Sequence, residues 1–150
     1  MVTATVPTTK ELFGIAIGDC ARIWRNKVNE RLRPLGLSQA TWLTLWNLSW
    51  FPEGLGQAEL AERLGIEGPT LVRLLDRLEK DGLVQRIASV DDRRRKVVVL
   101  TESARPLLGQ VKKIIAELRM DVMKAIPDEQ LAAGLQLLKL VQERLSCAKT

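Results

Sequence analysis

Six consecutive charged residues form the densest ionisable cluster in the sequence. They are Asp91, Asp92, Arg93, Arg94, Arg95 and Lys96. Four successive cations can bind phosphate oxygens, so the cluster predicts contact with the backbone of a nucleic acid, and a solvated turn is the alternative. An arginine among them can also enter a narrow minor groove, with Asp92 orienting its guanidinium group.

A second set of polar residues repeats along the segment that begins at Pro69. Proline suits the first turn of a helix because its missing N–H would have no partner there. This predicted helix has an apolar side and a polar side. The apolar side carries Leu71, Leu74, Leu75 and Leu78, and the polar side carries Thr70, Arg73, Arg77 and Lys80. In a major groove a guanidinium group can bind guanine O6 and N7, and a threonine can reach a base edge or a phosphate. The polar side, together with Pro69 at its start, therefore predicts a DNA-reading surface, with a solvated face as the alternative.

The segment before Pro69 has the spacing of a helix-turn-helix. A short helix is predicted from Gln57 to Leu64, in which Ala61 is small enough for a close approach of two helices. Gly65 follows and supplies the backbone freedom that the turn needs. These residues place the polar helix second in the motif, which is the position that enters the major groove.

Two β-rich segments flank the charged cluster. Residues 83–87 (LVQRI) follow the helix-ending Gly82, and residues 97–100 (VVVL) are almost all β-branched. We expect them to pair as a two-stranded hairpin with residues 91–96 at its tip. This hairpin is the candidate wing.

Apolar stripes recur every three or four residues near both ends of the chain. The first predicted helix, residues 10–33, carries Phe13, Ile17, Cys20, Trp24, Val28 and Leu32. A second helix is predicted for residues 38–50, with Ser38 as its cap. After the hairpin a long helix begins, with Thr101 as its cap and Pro106 distorting its first turns. The last opens at residues 127–128 and carries Leu131, Leu135, Leu138, Val141 and Leu145. One chain of 150 residues has too little surface to cover all of these stripes, so we expect dimerisation through the terminal helices.

These elements predict a mainly α fold with a small β-hairpin wing, a winged helix-turn-helix. Residues 37–101 would form the DNA-binding lobe, and residues 1–36 and 102–150 the dimerisation helices. Hydrophobic residues make up 46% of the chain, which is ample for one main core.

Several classes of function are disfavoured by what the sequence lacks. Histidine is absent, which removes histidine-based triads, the common zinc ligands and imidazole acid–base catalysis, and we predict neither a metal nor a cofactor. Catalysis by Asp91 and Asp92 is not predicted, because a hairpin tip offers no cleft and no partnered nucleophile. The net charge of +5 suits a polyanionic partner, and no leader or membrane-spanning segment is recognised, so we expect a cytoplasmic protein without membrane contact. Cys20 and Cys147 lack CxxC spacing, and we expect Cys20 to be buried and structural.

Three segments together resemble the MarR/SlyA family of winged-helix regulators. They are residues 64–73 (LGIEGPTLVR), residues 78–84 (LEKDGLV) and the D-x-R…LT pattern from Asp92 to Thr101. The resemblance covers roughly residues 21–108, and the D-x-R…LT pattern is its most specific part. It implies that Arg73 reads bases, that Arg94 enters the minor groove held by Asp92, and that the terminal helices dimerise.

The resemblance also implies an effector site. Related regulators take phenolic or benzoate-like acids in a crevice between the dimer helices and the DNA-binding lobe, and the matching positions are Arg22, Arg25, Trp42 and Trp46. The chemistry of these side chains is coherent, since indoles can enclose a ring while guanidinium groups hold its carboxylate. The alternative is that the tryptophans belong to the core and the arginines to the surface or the dimer interface.

We therefore expect a homodimeric transcription regulator, of repressor type, that binds a pseudo-palindromic operator in double-stranded DNA. A small aromatic carboxylate such as salicylate or a hydroxybenzoate would release it. Two alternatives keep the DNA-binding surface: a regulator of the same fold that senses oxidants through cysteine, and a non-specific architectural DNA-binding protein. The sequence contains no tyrosine, whereas cysteine-based sensors of this kind have supporting tyrosines.

Overall fold

The fold is seen in a computed structural model that describes residues 6–89 and 96–148. Its helices are α1 (Thr9–Leu32), α2 (Gln39–Leu48), α3 (Gln57–Leu64), α4 (Gly68–Lys80), α5 (Arg105–Met123) and α6 (Asp128–Cys147). Its strands are β1 (Leu55–Gly56), β2 (Val84–Ala88) and β3 (Lys96–Leu100). Short 3-10 turns, Arg33–Leu35 and Glu102–Ala104, precede α2 and α5. The predicted mainly helical winged fold is confirmed.

The caps explain where several of these helices begin. The Thr8 hydroxyl accepts the Glu11 N–H, and the Glu11 carboxylate accepts the Thr8 N–H in return, so a capping box opens α1. The predicted cap Ser38 accepts the Thr41 N–H at the start of α2. Thr101 is also a cap, but it caps the 3-10 turn, and α5 begins only at Arg105.

The predicted two-stranded hairpin is part of a three-stranded antiparallel sheet, so this expectation is corrected. Strand order is β1-β3-β2, and Leu55 pairs with Val98. Gly54 permits the extra strand: its φ is +88°, and an added Cβ would lie 2.7 Å from Val99 Cγ1 and 2.8 Å from the Val98 carbonyl oxygen. Only glycine allows the chain to pass β3 this closely. A strand of two residues carries too little periodicity to be seen in the sequence.

One apolar core joins the helix-turn-helix to the sheet. Its buried members are Leu45, Leu48, Leu55, Leu60, Ala61, Leu71, Leu74, Leu75, Leu78, Val84, Val98 and Leu108. Each fully buried leucine or valine contributes about 1.5–3 kcal/mol relative to exposure. The elements that carry the candidate DNA-reading residues are thus fixed by the core beneath them.

The chain divides into two compact units, Met1–Ile115 and Ala116–Thr150. The first contains α1, the helix-turn-helix, the sheet and the first part of α5. The second contains the end of α5 and all of α6, and α6 has no buried residue. The boundaries predicted for the DNA-binding lobe and the dimerisation helices stay a prediction.

Candidate nucleic-acid interface

The turn between α3 and α4 has the geometry expected of a helix-turn-helix. Gly65 ends α3 in the left-handed conformation, with φ of +64°. Its N–H donates to the Glu62 carbonyl, and the Ile66 N–H donates to the Ala61 carbonyl, each at 3.1 Å. Pro69 lies in the first turn of α4 as predicted. The turn thereby satisfies the last carbonyl groups of α3 while redirecting the chain.

Helix α4 has one apolar and one polar side. Its four leucines are buried, and the residues that face solvent include the predicted set Pro69, Thr70, Arg73, Arg77 and Lys80. The Arg73 Nε–H donates to the Pro69 carbonyl oxygen at 3.4 Å, so this guanidinium group lies back along the first turn of the helix. The first half of α4 therefore offers a guanidinium group and a threonine to an approaching ligand.

Arg77 differs from Arg73 in having a partner outside its own helix. Its Nη2 donates to the hydroxyl oxygen of Thr41 in α2 at 3.3 Å. That hydroxyl is itself 2.9 Å from the Ser38 Oγ. The interaction ties the last turn of α4 to the start of α2.

The wing strands pair in regular antiparallel register. Val84 lies opposite Leu100, Arg86 opposite Val98, and Ala88 opposite Lys96. Lys96 is exposed at the start of β3. The other predicted wing residues, Asp92, Arg93, Arg94 and Arg95, lie outside the described residues.

Sequence reasoning missed the polar contact that attaches β2 to α4. Arg86 Nη1 donates to Glu79 Oε2 at 2.5 Å, and Arg86 Nη2 donates to Asp76 Oδ1 at 2.8 Å. The Arg86 backbone N–H also donates to Glu79 Oε1, at 2.8 Å. Burial alone lowers the pKa of Arg86, but the hydrogen bond to Asp76 and the charge of Glu79 more than offset it and raise the pKa above its ordinary value. Arg86 therefore stays charged.

A second polar contact joins the end of α4 to the end of β3. The Thr101 and Ser103 hydroxyl groups both donate to the Gly82 carbonyl oxygen, at 2.5 Å and 2.6 Å. The Thr101 N–H donates to the Leu83 carbonyl oxygen at 3.1 Å. The base of the wing is thus held to α4 through both of its strands.

Comparison with known proteins gives a single answer. The model of the MarR family matches residues 35–95. The crystal structure of transcriptional regulator PA3341 is 42% identical, covers 91% of this chain and 99% of that one, and superposes with a TM-score of 0.85. The chain belongs to the MarR family. This is a family of transcription regulators, and the chain has its DNA-binding fold.

Two structures of the protein CouR, one of them from Rhodococcus jostii RHA1, are also similar to this chain. CouR bound to p-coumaroyl-CoA is 26% identical, with a TM-score of 0.77 over 91% of this chain and 95% of that one. CouR described as a transcriptional repressor, bound to a 23-mer DNA duplex, is 29% identical, with a TM-score of 0.69 over 92% and 99%.

The predicted effector residues of this MarR-family chain have different surroundings. Trp42 is only 3% exposed, and its indole N–H donates to the Asn29 side-chain oxygen at 2.7 Å. Trp46 is half-buried, with its ring 5.8 Å from that of Trp50 in an edge-to-face contact. Arg22 pairs with Asp19 in its own helix at 2.8 Å. Trp42 therefore has the surroundings that the core alternative expects.

Arg25, the fourth predicted effector residue, does not line a cavity that opens at the end of α1. Arg25 is exposed, and among the described residues no ion pair involves it. A surface cavity of about 660 Å³ opens beside the end of α1 and the start of α2. Its lining includes Asn26, Asn29, Arg33 and Gln39 but none of the four predicted effector residues.

The expectation that Cys20 is buried is wrong. Cys20 and Cys147 are both exposed and free. The apolar stripe of α1 is buried only at its C-terminal end, at Val28 and Leu32, so a position in the stripe does not ensure burial in one chain. Among the described residues, no group resembles a metal site, and no helix is long and apolar enough to cross a membrane.

Proposed function

We propose that this MarR-family chain is a homodimeric, sequence-specific regulator that acts in the cytoplasm as a repressor. A small aromatic carboxylate would release it from a pseudo-palindromic operator. The observation that carries the proposal is the polar side of α4, held by a common core beside the strands that lead to four successive cations. The duplex bound by CouR, which shares this fold, supports the same use of the surface here.

The exposed apolar residues of the terminal helices support the dimer. In α6 these include Leu135, Leu137, Leu138, Leu140 and Leu145, and in α1 they include Leu12, Ile15 and Ile23. Leucines at this density on one helix are typical of an interface between subunits. A two-fold dimer presents two α4 helices to half-sites about one turn of DNA apart, which explains why the operator would be pseudo-palindromic.

Competition binding tests whether the protein is sequence-specific. A duplex from the gene's own upstream region competes with a shuffled duplex of equal length and base composition. Specific recognition typically exceeds non-specific binding by at least about 10³-fold, whereas an architectural protein binds both duplexes alike. Equal affinities would contradict the proposal.

Exposed guanidinium groups on α1 and a half-buried indole on α2 support the effector. Arg22 and Arg25 are exposed on α1, and Trp46 is half-buried on α2. CouR, of the same fold, binds p-coumaroyl-CoA, whose acyl group is aromatic. An arginine holds a carboxylate strongly through charge-assisted hydrogen bonds. Ligand binding would then shift the population away from the conformation that fits DNA.

Tryptophan fluorescence tests the effector. Salicylate and 4-hydroxybenzoate should quench the emission saturably and weaken operator binding by one reciprocal coupling factor. Arg25→Ala should weaken their binding by about tenfold or more, because a charge-assisted hydrogen bond contributes about 1.5–3 kcal/mol. Arg105→Ala removes an exposed arginine elsewhere and should change nothing, and a neutral ring amide should bind both variants alike. If a broad panel of aromatic acids and their CoA thioesters changes neither signal, the effector is withdrawn while DNA binding stands.

Thiol-based control is the competing function, and the exposure of Cys20 is the observation in its favour. A regulator of this kind loses its operator when the thiol is oxidised. Peroxide treatment of the wild type and of Cys20→Ser separates the two functions. We expect both proteins to keep their operator affinity. Loss in the wild type alone would favour the redox function.

A further inference from the structure

Strand β2 lies at the edge of the sheet, and Arg86 fixes it to α4. Since the strand order is β1-β3-β2, β2 has a neighbouring strand on one side only within the part of the chain that the structure describes. The Arg86 N–H donates from the strand to Glu79 Oε1, so a side chain of α4 takes the place of a strand partner at this position. Two residues later β2 ends at Ala88, where the chain leaves for the wing tip.

The guanidinium group of Arg86 bonds to three acceptors on α4. It donates to Glu79 and Asp76 as described above, and Nη2 also lies 3.4 Å from the Val72 carbonyl oxygen. The side chain is 18% exposed, against 61% for Asp76 and 35% for Glu79. The planar guanidinium group contacts three acceptors that are spread over more than one turn of α4. Contacts at several points fix the orientation of β2 against the helix, whereas a single contact would let it rotate.

We propose that Arg86 is a positioning residue that sets the orientation of the wing against α4, so that wing and helix engage one duplex together. The inference rests on the proposed use of both elements in DNA binding. Arg86 acts here through Glu79 and Asp76 and not as a contact to phosphate. Without the Arg86 side chain, β2 still pairs with β3, but the hairpin no longer has a fixed orientation against α4.

The signs of the charges give this inference a sharp test. Glu79 and Asp76 are carboxylates on the helix that would read DNA, so direct electrostatics predicts that removing either one tightens binding to a polyanion. Positioning predicts the opposite, because the removal frees Arg86 and with it the wing. Glu79→Ala is the best variant, since Glu79 accepts from both the backbone and the side chain of Arg86.

Operator affinity is measured for the intact wild type, Glu79→Ala and the control Glu62→Ala across a salt series. Glu62 is exposed on α3 and carries the same charge. We expect Glu79→Ala to bind about tenfold more weakly, as for the loss of a hydrogen bond to a charged group. Its log–log salt slope should be shallower by about 2 per dimer, since each wing gives up at least one phosphate contact. Glu62→Ala should bind equally or more tightly.

Tighter or unchanged binding by Glu79→Ala would overturn the inference, and it would leave the proposed function intact as long as the wild type prefers its operator. Thermal unfolding and sedimentation confirm that the variants are folded dimers. If Glu79→Ala does not fold, Arg86→Lys replaces it. Lysine keeps the charge but loses the fork, so weaker binding supports positioning, and full affinity with an unchanged salt slope indicates a direct phosphate contact and overturns it.

Discussion

Helices α4 and α6 are both striped with leucine, but their leucines have opposite fates. All four leucines of the α4 stripe are buried in the core of their own unit. Helix α6 buries none of its residues, and five of its leucines are largely exposed. The same periodicity thus predicts a helix in both regions but does not say whether its partner lies in the same chain. The leucines of α4 find their packing partners within one chain, whereas those of α6 remain exposed in one chain.

Ion pairs also distinguish α4 from the other terminal helix, α1. Around α4 the Arg86 pairs join a helix to a strand. In α1 the pairs Asp19–Arg22 and Lys27–Glu30 connect residues three apart on one exposed helix. Exposed pairs of this kind contribute about 0–1 kcal/mol, so they do not fix one element against another. The pairs around α4 therefore orient β2 against the helix, whereas the pairs within α1 orient no second element.

The largest expected effect is that of salt, which should separate the two regions. A dimer with ~6–10 phosphate contacts should lose several decades of operator affinity between low and moderate salt, because each contact releases counterions. Association through apolar helices should change little under the same conditions. Fluorescence anisotropy and sedimentation across one salt series measure both. A nearly flat plot of log affinity for the duplex against log salt concentration would contradict the predicted phosphate contacts.

Truncating a leucine should affect different measured quantities in α4 and α6. Leu75→Ala removes a fully buried side chain from α4 and should lower the free energy of unfolding by about 2–5 kcal/mol in urea. Leu138→Ala, on an exposed position of α6, should act mainly on the dimer dissociation constant measured by sedimentation. Equal losses of unfolding free energy under monomeric conditions would show that α6 is packed as completely as α4.

Arginine truncation sharpens the assignment within the DNA-reading region. Arg73→Ala should cost about 1–3 kcal/mol per half-site and relax the preference for the operator over shuffled DNA. Arg94→Ala should weaken both duplexes with less change in that preference. Equal, purely non-specific losses from the two variants would remove the distinction between helix and wing.

The smallest effect is expected at the base of the wing. Thr101→Ala removes the cap of the 3-10 turn and the hydroxyl that donates to the Gly82 carbonyl. We expect a loss of about 1 kcal/mol in unfolding free energy, typical of a helix cap. Ser146→Ala, within α6, is the matched control and should change the unfolding free energy little, since its hydroxyl bonds only within its own helix. Equal effects would contradict the cross-element role of Thr101.

Local signals predicted the helices and the turn between α3 and α4. Ser38 caps α2 and Gly65 ends α3 with a positive φ, and both functions depend on residues within one helical turn. The spacing of the α4 leucines also identified the buried face correctly. These features follow from the residue and its near neighbours in sequence, so one sequence is sufficient to find them.

Contacts between distant residues could not be predicted in the same way. Strand β1 pairs with residues more than forty positions later, and its two residues have no pattern of their own. In the sequence Arg86 is one residue of a predicted strand. Neither its type nor its spacing indicates that its side chain bonds to Glu79 and Asp76 on the preceding helix. Cys20 was expected to be buried because its stripe continues to Val28, but burial depends on what covers each turn of the helix.

Sedimentation of the intact protein at micromolar concentration, alone and with its upstream duplex, tests whether the protein binds its operator as a dimer. We expect a dimer in both states and two chains on each duplex, because α1 and α6 leave exposed apolar residues that a second copy would cover. A monomer that still binds its operator tightly would contradict the assembly and the paired half-site geometry together.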